Sequence, residues 1–262
     1  MKSNIIKKIW NNNSAVINGW LSIPNSFTAE SMAQIGWDSL TIDLQHGLND
    51  YSTSIAMLQA ISTTKTVPFA RVPWNDPGII MKMLDAGTVG IIAPMINTKE
   101  DCEKFVSYCL YPPLGQRSYG PTRANISGNN DYYKIANQEI IKFAMIETKT
   151  AVNNLDEILS VKNLDGIYIG PADMSLSYGL QPKFDVEEDA IYNQIKKIVK
   201  KAKEYNKIAG IHNGTSKYAK KMIDLGFQFV TISSDLRSMN ITAKKIIEEM
   251  KSTLFARENS SY

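Results

Sequence analysis

Cysteine and histidine are scarce in this chain, which has only two of each among its 262 residues. Cys102 and Cys109 lie seven positions apart in a stretch with helical periodicity. That spacing excludes a zinc knuckle and is poorly suited to a disulfide. We therefore expect a protein of a reducing compartment, the cytoplasm, that does not depend on a disulfide framework.

A long apolar run is also missing, because none reaches the length of about 18 residues that a membrane span needs. Residues 1–16 have neither an apolar core nor a small-residue cleavage site, so a secretory signal is not expected. The 29 basic and 26 acidic residues leave a net charge of only +3. Such a balance creates no broad field for nucleic acid or a membrane surface, so small molecules are the expected partners.

What the chain does have is a regular alternation of short β-branched or apolar runs with longer helical patterns. Eight such units predict a single α/β domain over residues 1–262, a (β/α)8 barrel, rather than an open doubly wound sheet. The polar residues 256–262 are expected to form a flexible tail. The predicted strands are Ala15–Ile23, Ser39–Asp43, Thr66–Arg71, Val89–Pro94, Lys142–Glu147, Gly166–Gly170, Ile208–His212 and Phe229–Ser233.

The interval Leu110–Tyr133 breaks this rhythm, because it contains Pro, Gly, Asn and Ser and has no steady period. It is predicted to be a loop. Loops of this length in a compact domain are usually functional. Two interpretations stay open, a cover over the active site and a plain surface insertion.

Polar residues follow the predicted strands at the end where a barrel carries its chemistry. Glu147 and Asp173 come after neighbouring strands, so their carboxylates can converge. Two hard oxygen ligands suit Mg²⁺, Mn²⁺ or Co²⁺. Either carboxylate alone could be solvated or could cap a helix, but the pair favours a divalent-metal site.

Other strand ends carry a guanidinium and both histidines. Arg71 lies at the barrel rim, where it could bind a carboxylate bidentately or form a structural ion pair. His46 lies in a polar turn, a position that favours proton transfer over a core role. For His212 the favoured interpretation is packing, or capping of the next helix.

The segment Gly170-Pro171-Ala172 resembles a strand-to-helix turn, whose exposed backbone N–H groups would suit a substrate carboxylate. Asp85 ends a predicted helix and has no evident role unless it pairs with His46. No lysine ends a predicted strand, and Lys142 begins its own, so the residues do not favour Schiff-base chemistry.

In combination and order, these segments resemble the HpcH/HpaI aldolase family of class II pyruvate aldolases. The resemblance runs from about Gly19 to Asp235. Its motifs are GWLSIPNSFTAE, IDLQHG, FARVPWND, KMLDAGTVGIIAPMINT, YPPLGQRS, IETKTAVNNLDEI, DGIYIGPADMSLSYG and GFQFVTISSDLR.

The resemblance implies reversible, metal-dependent aldol cleavage of a 4-hydroxy-2-oxo acid to pyruvate and an aldehyde. It also implies a hexamer, a trimer of dimers, in which the last helix packs on a neighbouring subunit. The implied roles are Glu147 and Asp173 as ligands of a divalent cation, Arg71 at the keto oxygen, His46 with Asp85 as a proton-transfer dyad, and Trp20, Asp43, Gly170, Pro171 and Ala172 in the substrate site.

Two positions depart from the family pattern. Gln45 stands where many relatives have Glu, which removes a charge beside His46. Met145 stands where some relatives have Gln. A thioether cannot replace an amide that hydrogen-bonds substrate or metal-bound water, so Met145 bears on the choice of aldehyde.

Two other functions stay open. A citramalyl- or malyl-CoA lyase would share the barrel and the metal site, but it would need cationic contacts for coenzyme A, for which no dedicated segment is evident. A non-catalytic barrel that binds a 2-keto acid would need neither His46 nor Asp85.

Overall fold

Eight parallel strands close into one barrel in the order of the sequence, so the predicted (β/α)8 fold is confirmed. The computed structural model describes residues 3–128 and 131–259. The strands are β1 (Val16–Leu21), β2 (Ser39–Asp43), β3 (Val67–Arg71), β4 (Gly90–Ala93), β5 (Ile141–Ile146), β6 (Gly166–Ile169), β7 (Ile208–Asn213) and β8 (Phe229–Ile232). Each overlaps a predicted strand, with ends that agree to within two residues.

Helices cover the outside of the barrel between the strands. Those within the described residues are α1 (Ser3–Asn11), α2 (Ser26–Ala33), α3 (Tyr51–Ser62), α4 (Pro77–Asp85), α5 (Lys99–Cys109), α6 (Thr122–Gly128), α7 (Tyr132–Glu139), α8 (Lys149–Asn153), α9 (Leu155–Leu159), α10 (Pro171–Ser177), α11 (Asp189–Glu204), α12 (Ser216–Leu225) and α13 (Asp235–Asn259). Cys102 and Cys109 are free and buried in α5, as the helical spacing predicted. No helix of the described chain is long and apolar enough to cross a membrane.

The barrel interior is filled by large side chains because successive residues of a strand point to opposite faces. Phe143 packs on Phe69 and Phe229, with ring centroids 6.2 and 5.0 Å apart. Trp10 of α1 meets Phe143 from the side where the strands begin, at 6.1 Å. This packing fills the amino-terminal half of the barrel and leaves the carboxyl ends of the strands for a site.

The interval Leu110–Tyr133 is not the uninterrupted loop that its composition predicted, because it contains α6 and the first residues of α7. Arg123 of α6 donates hydrogen bonds to the carbonyls of Ala86 at 2.8 Å and Leu58 at 3.1 Å. These tertiary contacts outweigh a local composition that is poor in helix formers. No described residue of the interval lines the cavity at the carboxyl end, so the chain itself supports a surface insertion and not a cover.

The last helix, α13, leaves the barrel with exposed apolar side chains. It continues through Asn259, so residues 256–259 of the expected tail are helical, and residues 260–262 lie outside the described residues. Its large apolar side chains between Leu236 and Met250 are 42 to 57% exposed. These are Leu236, Met239, Ile241, Ile246, Ile247 and Met250.

The close packing of the interior predicts that Gly90 tolerates no side chain. A Cβ atom at Gly90 would lie 2.1 Å from the Phe69 ring, so Gly90→Ala forces this ring out of a filled interior. We expect the free energy of unfolding to fall by about 1–3 kcal/mol, measured by urea denaturation. Gly120→Ala is the matched control, because a Cβ atom there meets nothing within 4 Å. An equal loss in both variants would contradict this account.

Candidate active site

A cavity of about 280 Å³ opens at the carboxyl end of the barrel. Ten residues were predicted from the sequence to belong to the site, and eight of them line this cavity. The eight are Trp20, Asp43, His46, Arg71, Gly170, Pro171, Ala172 and Asp173. Glu147 lies directly behind Gly170, and Asp85 lies elsewhere.

A buried ion pair joins the ends of β2 and β3, where the barrel register sets Asp43 beside Arg71. Arg71 donates from Nε and Nη2 to the two Asp43 oxygens, at 2.9 and 2.6 Å. Trp20 donates its Nε1–H to the same carboxylate at 3.1 Å, and its ring lies 4.8 Å from the guanidinium carbon. Burial raises the pKa of Asp43, but the hydrogen bonds and charge of Arg71 outweigh it, so the pKa lies below its ordinary value. The pair fixes Arg71 and leaves Nη1 for a ligand.

Asp43 also holds the turn that carries His46. Its Oδ1 accepts the backbone N–H of Gln45 at 3.0 Å and that of His46 at 3.3 Å. The His46 side chain is exposed and lines the cavity. The backbone of the turn is therefore fixed while the imidazole is accessible to a bound molecule.

Asp85 does not line this cavity. It ends α4, which starts beyond the carboxyl end of β3 and runs back toward the other end of the barrel. Its carboxylate accepts a hydrogen bond from Arg117 at 2.7 Å. Within the described chain the partner of Asp85 is therefore Arg117, and its expected pairing with His46 stays a prediction.

Glu147 and Asp173 follow the neighbouring strands β5 and β6, as predicted. Glu147 is 2% exposed, and its Oε1 accepts the backbone N–H of Met95 at 2.7 Å. A Cβ atom on Gly170 would lie 2.5 Å from the other oxygen, so a glycine is needed beside this carboxylate. Burial raises the pKa of Glu147 to about 7, and the negative charge of Asp173 adds to the rise.

The two carboxylates fit a divalent cation. They repel each other, and one is poorly hydrated, so a dication would stabilise both ionised forms. Within residues 3–128 and 131–259, no third His, Cys, Asp or Glu completes a cluster with them. Two hard oxygen ligands would leave coordination positions open for water and substrate, as Mg²⁺, Mn²⁺ or Co²⁺ chemistry requires.

The start of α10 provides backbone donors next to the carboxylates. Gly170 is the N-cap and Pro171 is the first helical residue. Because glycine has no side chain, no N-cap side chain occupies the N–H groups of this turn. The N–H groups of Ala172 and Asp173 therefore remain available in the first turn.

His212 lines the cavity, a position that the sequence analysis undervalued. Its ring lies 4.9 Å from the rings of both Trp20 and Phe184. Nδ1 lies 3.1 Å from the Tyr168 hydroxyl, which itself donates to Thr231 at 2.7 Å. Burial lowers the pKa of His212 to about 3, so the ring is neutral.

Phe184 and Arg237 also line the cavity and were not predicted. Phe184 follows α10 in a polar stretch that carries no strand-end signal. Arg237 lies in the SSDLR segment directly after β8, and its place beyond a strand end could have identified it. The capping role considered for the segment around His212 belongs to Thr215, which accepts the N–H of Tyr218 at the start of α12.

The sequence matches the HpcH/HpaI aldolase/citrate lyase family over residues 17–241. The chain belongs to this family. The resemblance inferred from its motifs is thereby confirmed.

Individual members of the HpcH/HpaI family match most of the chain. It is 38% identical over 248 residues to the hydroxypyruvate/pyruvate aldolase of Rhizorhabdus wittichii, covering 95% of this chain and 99% of that protein. It is 36% identical to the 4-hydroxy-2-oxo-heptane-1,7-dioate aldolase of Escherichia coli over 82% of this chain and 83% of that protein. The crystal structure of an HpcH/HpaI aldolase/citrate lyase family protein from Burkholderia cenocepacia J2315 has a TM-score of 0.88 and 24% identity, covering 95% of this chain and 99% of that one. This structural likeness supports the fold.

The raised pKa of Glu147 predicts that metal binding releases a proton near neutral pH. At about pH 6 this carboxyl is mostly protonated, and it must ionise to bind a cation. Calorimetric titration with Mn²⁺ in buffers of different ionisation enthalpy should show about one proton released at pH 6 and close to none at pH 9. Glu147→Gln should bind Mn²⁺ more weakly, with little change across this pH range. Wild-type protein that binds Mn²⁺ at pH 6 without releasing a proton would contradict the assignment.

Proposed function

We propose that this carbon–carbon lyase is a divalent-metal-dependent aldolase that reversibly cleaves a 4-hydroxy-2-oxo acid to pyruvate and an aldehyde. One observation carries the proposal: a carboxylate pair suited to a cation, a fixed guanidinium and an exposed imidazole meet at one cavity. Family membership and the aldolase names of the two relatives support it.

Each group has a role in binding the keto acid. Glu147 and Asp173 would hold Mg²⁺, Mn²⁺ or Co²⁺, which supplies Lewis acidity toward the 2-keto oxygen and carboxylate when bound. Arg71 would donate from Nη1 to the oxygen on which negative charge develops, while Asp43 keeps Nε and Nη2 in place. The N–H groups at the start of α10 would bind the substrate carboxylate.

His46 would move the proton. In cleavage it would take the proton of the 4-hydroxyl group, the C3–C4 bond would break with its electron pair passing into the enolate as the aldehyde leaves, and the imidazolium would then give the proton to C3 of the enolate to form pyruvate. In synthesis the imidazole would remove a methyl proton of pyruvate and deliver it to the new alkoxide. Within the chain, Asp43 rather than Asp85 holds the turn from which His46 acts.

The cavity favours a small acceptor over the alternatives. Its volume of about 280 Å³ suits a short aldehyde better than an acyl-coenzyme A thioester. A barrel that only binds a 2-keto acid would not need an exposed imidazole beside a fixed guanidinium.

We also propose that the chain forms a homo-oligomer, because α13 exposes a series of apolar side chains. The hexamer and the reducing compartment stay predictions.

The proposed mechanism predicts that the protein exchanges the methyl hydrogens of pyruvate with deuterated water when no aldehyde is present. Proton NMR with Mg²⁺ should show the methyl signal decay. A chelator should stop the decay, and added Mg²⁺ should restore it. His46→Ala should slow the exchange on the order of 100-fold or more while metal binding persists. Hydroxypyruvate is the second donor to test, because it appears in the name of the Rhizorhabdus relative.

Two outcomes of this experiment would change the proposal. Wild-type protein that binds metal and pyruvate without any decay of the methyl signal would overturn the aldolase mechanism. A His46→Ala protein that exchanges at the wild-type rate would move the base away from His46.

Arg71→Lys is expected to fail almost as badly as Arg71→Ala. Lysine keeps the charge, but one nitrogen cannot bind both Asp43 oxygens and also contact the ligand. We expect a loss on the order of 100-fold or more in the exchange rate. Arg123→Lys, on the outside of the barrel, is the matched control and should exchange normally. Near-normal exchange by Arg71→Lys would assign Arg71 to a structural ion pair.

A further inference from the structure

Arg237 places an unpaired positive charge at the rim of the cavity. It follows β8 in the first turn of α13, and its side chain is exposed. Its guanidinium carbon lies 5.4 Å from the centre of the Phe184 ring. Among the described residues, the ion pairs do not include Arg237. Its five N–H donors are therefore not used by a carboxylate of the described residues.

The other charges around the cavity compensate one another. Asp43 and Arg71 form an ion pair, and a dication would balance Glu147 and Asp173. His212, the other titratable group on the β7–β8 side, is neutral. Asp235, two residues before Arg237, is buried and accepts backbone N–H groups of Ser22 and Ile23 rather than the guanidinium. The guanidinium of Arg237 therefore has no carboxylate partner within the described chain on the wall formed by the ends of β7 and β8.

This wall is available to the aldehyde half of the substrate, which the groups proposed to bind the keto acid do not hold. Arg71 ends β3, and Glu147 and Asp173 follow β5 and β6, whereas His212 lies near the end of β7 and Arg237 follows β8. A keto acid bound by the first set directs its acceptor carbon into the remaining space. An aldehyde that extends along this wall would bring its distal end to His212, Phe184 and Arg237, which line the same cavity.

Arg237 is also held in a suitable conformation. The cation–π contact with Phe184 favours this position of the guanidinium without using its N–H donors. The backbone N–H of Arg237 donates to Ser234 Oγ at 3.2 Å, which fixes the turn that carries it. A planar guanidinium fixed in this way can bind a carboxylate or a phosphate through two parallel hydrogen bonds.

We propose that Arg237 is a specificity-determining residue that selects acceptor aldehydes with an anionic group, carboxylate or phosphate, at the end remote from the carbonyl. The proposal rests on the proposed aldolase function. It predicts selectivity within the aldehydes and adds no step to the bond-breaking chemistry.

The test compares matched aldehydes in condensation with pyruvate and Mg²⁺. One pair is 4-oxobutanoate and butanal, which differ by a terminal carboxylate. The other pair is glyceraldehyde 3-phosphate and glyceraldehyde, which differ by a phosphate. For each protein the measured quantity is the ratio of kcat/KM for the anionic aldehyde to that for the neutral one. Because both rates come from the same preparation, partial unfolding cancels in the ratio.

Wild-type protein should prefer the anionic member of at least one pair. The pair that shows the preference tells whether the recognised group is a carboxylate or a phosphate. Arg237→Gln should lower the ratio by about 10-fold or more, mainly through KM, because one charge-assisted bidentate contact is lost. Arg237→Lys should keep part of the preference. Raising the salt concentration should reduce the wild-type ratio, since the group is exposed. Lys217→Gln is the matched control, because it removes an exposed positive charge that does not line the cavity.

An unchanged ratio in Arg237→Gln would overturn the inference. An equal loss for the anionic and neutral aldehydes would also overturn it and assign Arg237 a structural role. Failure of the proposed function gives a different result: wild-type protein then shows neither pyruvate exchange nor product with any aldehyde, and the inference falls with it.

Discussion

The buried ion pair between Asp43 and Arg71 is the interaction on which the rest of the site depends. It follows from the register of β2 and β3, which sets the two residues side by side. Removing one partner of such a pair destabilises a protein by about 3–5 kcal/mol, because the other charge stays buried. The same carboxylate accepts hydrogen bonds from the indole of Trp20 and from the turn of His46. One anion thus orients the guanidinium and the indole and also holds the backbone of the turn that carries His46.

Two carboxyl groups of this site have opposite environments, and their chemistry differs for that reason. Asp43 is stabilised as an anion by Arg71, which holds its pKa below the ordinary value. Glu147 is buried beside Asp173, and its pKa rises to about 7. Its main compensation is one N–H from Met95, whose backbone adopts a left-handed conformation with φ of 56°. The fold therefore keeps Glu147 in a position where ionisation is unfavourable, and a bound cation would relieve that cost.

The parts of the site that follow from barrel topology could be predicted from the sequence. Residues that end a strand or directly follow one, such as Asp43, Arg71 and Glu147, have positions set by strand order and alternation. Asp85 could not be placed in this way, because its partner Arg117 lies in an irregular segment whose path depends on tertiary packing. His212 was undervalued for a related reason. Its side chain contacts Tyr168 across the β6–β7 pair, and no local pattern reveals that contact.

His212 and Arg237 both line the cavity, but a substitution at each would have a different effect on the rest of the site. His212 is tied to the ion pair, because its ring packs against Trp20, which in turn bonds Asp43. A substitution at His212 would therefore disturb the groups that hold the keto acid. By contrast, the guanidinium of Arg237 contacts the ring of Phe184 at the rim of the cavity. Met145 lines the cavity beside Gly170 and adds adaptable volume, but it lacks the donors and acceptors of an amide. Recognition of the aldehyde is therefore left to the β7–β8 wall, where a rim residue can change without breaking the bonds that position Arg71.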